Sequence, residues 1–173
     1  MKKIKKEVLY QKKCVVVGID PGTTRIGVGI VEKINGTLLV KEAKLLIPDA
    51  PAKKNEGEQL LCIELALKKI LRKHTPDVVG VERLFFSKNQ KTAFSVAHAR
   101  GVILKTVAEM KTDVVELTPN QIKLAVTGRG NASKDAVAKM VEITLKISAK
   151  GLVDDITDAL AVAIATPFFR PRK

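Results

Sequence analysis

The sequence predicts an α/β fold, a single mixed five-stranded sheet with helices on both faces, and three observations lead there. Short β-branched runs and stretches of helical periodicity follow one another in the order β-β-β-α-β-α-β-α-α-α. Only short turn sequences join the first three strands, so these run antiparallel. The next two strands each follow a long amphipathic stretch, and helical crossovers set such strands parallel to the first. No repeat or linker interrupts the 173 residues, a length that fits one domain.

Each element has its own signal. Val15 to Asp20 is a short β-branched run suited to a buried central strand, and Asp20-Pro21-Gly22-Thr23 ends it in a tight turn. A second run, Ile26 to Val31, leads to Asn35-Gly36, a strong two-residue hairpin signal, and a third strand covers about Leu38 to Ile47. Pro48 to Lys54 reads as loop. From Glu58 to Arg72, Leu61, Leu65 and Ile70 recur at helical spacing until Thr75-Pro76 stops them. Asp77 to Glu82 is a strand, a polar loop follows, and a helix runs from about Thr92 to Met110. Val114 to Leu117 is the fifth strand. Thr118-Pro119-Asn120-Gln121 combines a capping box with Pro at the first helical position. Thr127 to Ser133 is a glycine-bearing loop ahead of a helix with Val137, Met140, Val141 and Leu145. The last helix is expected from about Asp154 to Ala165, ending before Pro167. Residues 1–13 read as a basic extension with six lysines, and residues 14–173 as the domain.

Charge narrows the function. Thirty-one Lys and Arg against 18 Asp and Glu leave a formal net charge of +13. Solubility alone asks for a magnitude of about 2–8, so the excess points to a polyanion, nucleic acid before an anionic membrane. Only Cys14 and Cys62 occur, which excludes a disulfide scaffold and a zinc knuckle. No apolar run approaches the roughly 20 residues of a membrane helix, and the lysine-rich start lacks the apolar stretch of a signal peptide. A cytoplasmic protein is expected. With no Trp and one Tyr, an aromatic platform for stacking single strands is disfavoured.

The carboxylates carry the chemistry. Asp20 closes the first strand and Glu82 the fourth, so parallel neighbours bring both to one sheet edge, where open α/β sheets keep their sites. Asp154, Asp155 and Asp158 open the final helix, and positions three or four apart share a face. Singly, each has a plainer reading as a turn, strand-end or first-turn acid. Asp158 is the exception, because it sits among Ile156, Ala159, Leu160 and Ala163, where an unpaired charge is costly. Clustered, the acids require a compensating cation, and oxygen donors without convergent His or Cys select Mg²⁺ or Mn²⁺ over zinc. Two such ions about 3.5–4 Å apart suit phosphodiester hydrolysis.

Gly18-Ile19-Asp20-Pro21-Gly22, Val81-Glu82-Arg83-Leu84-Phe85, Ala99-Arg100-Gly101 and Asp155-Ile156-Thr157-Asp158-Ala159-Leu160-Ala161 together resemble the RuvC family of Holliday-junction resolvases. The likeness runs from about Val15 to Ala165. It implies a ribonuclease H-like fold, a homodimer, and paired Mg²⁺-dependent nicks across a four-way DNA junction in recombination and repair, with Mn²⁺ able to substitute. It also implies a branch-migration motor as a possible partner. By position it makes Asp20, Glu82, Asp155 and Asp158 the acidic tetrad. Asp155 is preferred to Asp154 because the family spaces its last two ligands three residues apart, and some relatives carry His at that place.

The resemblance puts Phe85 near the junction's exchange point, although core packing after a strand explains it equally. It puts Lys123 and Lys134 near the scissile strand and allows a phosphate contact at Lys88. The extension is the departure, since family members begin close to the first strand. Two other readings stay open. Asp20 to Thr24 also resembles the phosphate loop of actin-like ATPases and sugar kinases, which need two such domains. A non-catalytic or RNA-processing relative on the same fold is the second.

Overall fold

The computed structural model describes residues 13–22, 24–47, 55–83, 90–148 and 151–170, with side chains left aside at 90–92. Strands β1 (Cys14–Asp20), β2 (Ile26–Ile34), β3 (Thr37–Leu46), β4 (Val78–Glu82) and β5 (Asp113–Leu117) form one sheet in the order β3-β2-β1-β4-β5. The first three are antiparallel, while β4 and β5 run parallel to β1. Helices α1 (Glu56–His74) and α2 (Gln90–Glu109) precede β4 and β5, and α3 (Pro119–Thr127), α4 (Lys134–Leu145) and α5 (Asp154–Phe169) complete the chain. This is the expected order of elements. Of the basic extension read at 1–13, only Lys13 lies within the described residues.

Local chemistry accounts for the boundaries. Asn35 and Gly36 take φ of 49° and 83°, the double positive φ of a tight hairpin turn that Asn-Gly adopts readily. Asn55 caps α1, its side chain accepting from the Glu58 N–H at 3.0 Å, and Thr75 ends it in the left-handed region before Pro76. Thr118 and Gln121 form the reciprocal capping box of α3.

Period-two alternation divides the core. Val17, Ile19, Val79 and Val81 face α1 and α2, and Val16 and Val78 face the other side with Leu160, Val162 and Val141. Helix α5 lies between the sheet and α3 and α4, and is buried from Ile156 to Thr166 except for Asp158. Such close seating is made by glycines. A Cβ at Gly18 would overlap the Ala159 carbonyl oxygen, and one at Gly27 the Asp155 carbonyl oxygen.

The last helix corrects an expectation. It does not stop at Ala165 but continues through Pro167 to Phe169. Proline removes one intrahelical hydrogen bond there. Burial of Ala165 and Thr166 against the sheet, and Arg170 bonded to the Asp77 carbonyl at 2.9 Å and the Asp113 carboxylate at 2.8 Å, hold the final turn in place.

Candidate active site

Alternation along the central strands sets the site. Gly18 and Gly80 face α5, so two residues further along their strands Asp20 and Glu82 point to the same side of the sheet. The parallel register pairs Ile19 with Val81, which puts the two acids next to each other at the C-terminal edge. Asp20 also pairs across the sheet with Gly27, the residue on which the Asp155 backbone rests. One glycine thus brings the first turn of α5 up to the end of β1. Asp155 and Asp158 share the face of that turn three residues apart.

The electrostatics of the acids show how closely they are grouped. Burial first, then the charges of Glu82, Asp158 and Asp155, push the Asp20 carboxyl up to about 8. Burial and the Asp158 charge push Glu82 up to about 7, although Asp20 donates it a hydrogen bond. Burial also raises Asp158, against the pull of Lys134. At neutral pH, Asp20 therefore keeps a proton that it donates toward Glu82, and a divalent cation would displace it.

Two cations already answer part of the charge. Lys134, the first residue of α4, has its Nζ 3.1 Å from Asp158 Oδ2 and 3.2 Å from Asp154 Oδ2. Arg25, just ahead of β2, has its Nε 3.6 Å from Asp155 Oδ2. Among the described residues no three His, Cys, Asp or Glu side chains enclose a single point as they stand. Lys134 and Arg25 pair with Asp158 and Asp155, and burial, more than repulsion, favours protonation of the Asp20–Glu82 pair. The donor set nevertheless fits a hard divalent ion, being carboxylate oxygens alone, half-buried and short of positive charge.

A cleft of about 230 Å³ opens beside these acids, with Glu82, Asp158, Lys123 and Lys134 around it and Ile122 and Val137 as apolar wall. The sequence-predicted Asp20, Glu82, Asp155, Asp158, Lys123 and Lys134 thus meet at one edge. Phe85 and Lys88 lie outside the described residues. Arg25 was missed, although its place two residues before the partner of Asp20 was a usable signal once β1 and β2 were paired. Asp154 differs from the others: its side chain is 80% exposed, and it is not among the charges that raise Asp20.

The family model described as "Crossover junction endodeoxyribonuclease RuvC" matches residues 16–166. The RuvC of Carboxydothermus hydrogenoformans is 44% identical over 150 residues, covering 87% of this chain and 93% of that protein. The structure of Thermus thermophilus RuvC superposes with a TM-score of 0.80 at 30% identity, covering 90% of this chain and 94% of that one. The same enzyme in complex with Holliday junction substrate gives a TM-score of 0.82 at 30% identity, with the same coverage. The yeast mitochondrial Holliday junction resolvase, at 14% identity and a TM-score of 0.66, shares the fold. The chain belongs to the RuvC family of crossover junction endodeoxyribonucleases.

Proposed function

We propose that this protein is a structure-selective endodeoxyribonuclease that resolves four-way DNA junctions in recombination and repair by divalent-metal-dependent hydrolysis of phosphodiesters. One observation carries the chemical part: within a chain of net charge +13, Asp20, Glu82, Asp155 and Asp158 gather at one sheet edge beside Lys123 and Lys134. Family membership supplies the substrate class.

In this reading Asp20, Glu82, Asp155 and Asp158 would together hold the two Mg²⁺ ions, with Asp20 at the centre of the group. Bound there, the ions supply an activated water and stabilise the charge that builds on the phosphorus centre and departing 3′ oxygen. Lys123 and Lys134 meet the scissile phosphate from the cleft wall and stabilise the developing negative charge. Arg25, paired with Asp155, would meet the same strand. Two copies of the chain acting together would match the two-fold symmetry of the junction. Phe85 and Lys88, on the segment after β4, are assigned to the junction's exchange point and to a phosphate. The protein works in the cytoplasm, and among the described residues no helix is long and apolar enough to cross a membrane. A branch-migration motor is the partner class in this reading.

The test is a panel of four-way junctions, replication forks, RNA–DNA hybrids and linear duplexes, each with Mg²⁺ and with chelator. Symmetric paired nicks confined to the junction and dependent on Mg²⁺ are expected. Binding to junctions without cleavage in Mg²⁺ or Mn²⁺ would overturn the catalytic assignment.

A further inference from the structure

The strongest feature outside the four acids is Asp154. It lies at the first position of α5, where an acid opposes the helix dipole, and that role alone explains an exposed first-turn carboxylate. It does not explain the direction of the side chain. Asp154 Oδ2 lies 3.2 Å from Nζ of Lys134, which belongs to a different helix and lines the catalytic cleft. The same ammonium lies 3.1 Å from Asp158 Oδ2. Lys134 is therefore tethered at two points, one inside the group of acids around Asp20 and one outside it. The Lys134 ammonium has no other ion-pair partner among the described residues.

Building on the catalytic reading above, we propose that Asp154 is a positioning residue that holds Lys134 at the mouth of the cleft once Asp158 is engaged by a divalent cation. The two tethers respond differently to such an ion. Asp158 would share its charge with the cation, and its attraction for the lysine falls as the cation repels the ammonium. Asp154, 80% exposed at the rim, keeps its full charge and its contact. The ammonium then pivots about Asp154, leaving Asp158 while staying within reach of a phosphate beside Lys123. Without Asp154 the lysine has only Asp158, so it competes with the cation for that oxygen. Once displaced, it has no ion pair to keep it over the cleft.

The residues around this pair agree with such a division. Asp155 is paired with Arg25, and Glu82, bonded to Asp20, feels the Lys134 charge without forming an ion pair with it. Asp154 is thus the carboxylate that can retain the lysine without belonging to the proposed ligand set.

The experiment is a double-mutant cycle on the full chain with Asp154→Asn, Lys134→Gln and the pair, plus Asp154→Glu as the conservative variant. Three quantities are read: the single-turnover cleavage rate on a four-way junction, junction affinity in chelator, and the Mg²⁺ concentration that gives half of the thermal stabilisation. Asp154→Asn should lower the rate about tenfold through misplacement of Lys134. It should also raise the Mg²⁺ midpoint about threefold, the scale of an exposed ion pair, with affinity in chelator changed less than about twofold. Lys134→Gln should lower the midpoint, and in its background Asp154→Asn should add almost nothing to either effect. Asp154→Glu should restore both. If Asp154→Asn shifts rate and midpoint equally in the wild-type and Lys134→Gln backgrounds, Asp154 acts only as a bulk charge and the proposal fails. If Lys134→Gln is slow but Asp154→Asn cleaves normally, the proposal fails alone. If Lys134→Gln itself cleaves at full rate, the role given to Lys134 in catalysis fails with it.

Discussion

Asp20→Asn should make the metal-free protein more stable near neutral pH while abolishing cleavage. The folded carboxyl of Asp20 titrates at about 8, against 3.8 for an ordinary Asp, chiefly because it is buried and next because Glu82 is beside it. Its folded pKa is raised, so its contribution is fully present below the unfolded value and is lost as pH climbs toward about 8. Across this window the unfolded chain has released a proton that the folded chain keeps, and stability falls by about 1.4 kcal/mol per pH unit. Between about pH 5 and pH 7, Asp20 alone then accounts for about 3 kcal/mol. In a domain of this size that is a drop in Tm of about 5–10 °C. Asparagine cannot ionise, yet its amide can still donate to Glu82, so the variant should lose the Asp20 share of the slope and keep that of Glu82, whose carboxyl is pushed up to about 7.

The assay is thermal unfolding of both proteins across this range, first in chelator and then in Mg²⁺. The window avoids the acid side, where Glu42 contributes with the opposite sign. Lys44, Lys73 and His74 hold its carboxyl down to about 2, so its contribution is lost only as pH falls toward that value. In chelator, the variant should melt increasingly above the wild type as pH rises. Mg²⁺ should lift the wild type and reverse its slope, because the cation replaces the proton, and should lift the variant far less. Equal pH slopes for the two proteins would refute the assignment of the buried proton to Asp20. Equal responses to Mg²⁺ would refute its role as a ligand.

Gly27→Ala should cost about 1–3 kcal/mol, since its Cβ meets the Asp155 backbone carbonyl, and cleavage should fall by more than the change in Tm implies because the first turn of α5 shifts away from Asp20. Melting and single-turnover rates on the same samples check this. Log affinity for junction DNA should fall steeply with log salt, and Arg25→Gln or Lys123→Gln should each reduce the slope by about one, as expected of a lost phosphate contact. Thr118→Ala removes the side-chain half of the capping box on α3 and should cost about 1 kcal/mol in unfolding titrations while leaving Mg²⁺ stabilisation unchanged.

What was legible in the sequence was what local chemistry writes. Asn35-Gly36 announced its hairpin, Thr118 to Gln121 its helix start, and Thr75-Pro76 its helix end, and each stands where expected. The edge position of Asp20 and Glu82 followed from strand order, because parallel neighbours must end together. The central place of α5 was hidden. Its seating depends on Gly18 and Gly27 lying opposite Ala159 and Asp155, and residues that far apart in sequence leave no periodic trace. The same packing carries the helix past Pro167, where a local rule predicts a stop. The contact of Arg25 with Asp155 depends on the same approach of α5 to β2, so it too waited for the fold.

The site is best understood as a set of exchanges. Folding alone brings acids together that repel one another in a half-buried place, and the cost is limited by protonation of the Asp20–Glu82 pair and by ion pairs from Lys134 and Arg25. A divalent cation would therefore enter by displacement, releasing protons from the central pair and freeing two basic side chains from the flanking pair. Those freed cations are then available at the mouth of the cleft, where the phosphate of the substrate arrives. The carboxylates are thus tied to both halves of the reaction. Binding of an ion would turn Arg25, and Lys134 on its remaining tether to Asp154, toward the DNA, and the positive excess of the chain would grow where it is needed. Tight junction binding and metal loading should then reinforce each other, which a site of permanently ionised, unpaired acids would not achieve.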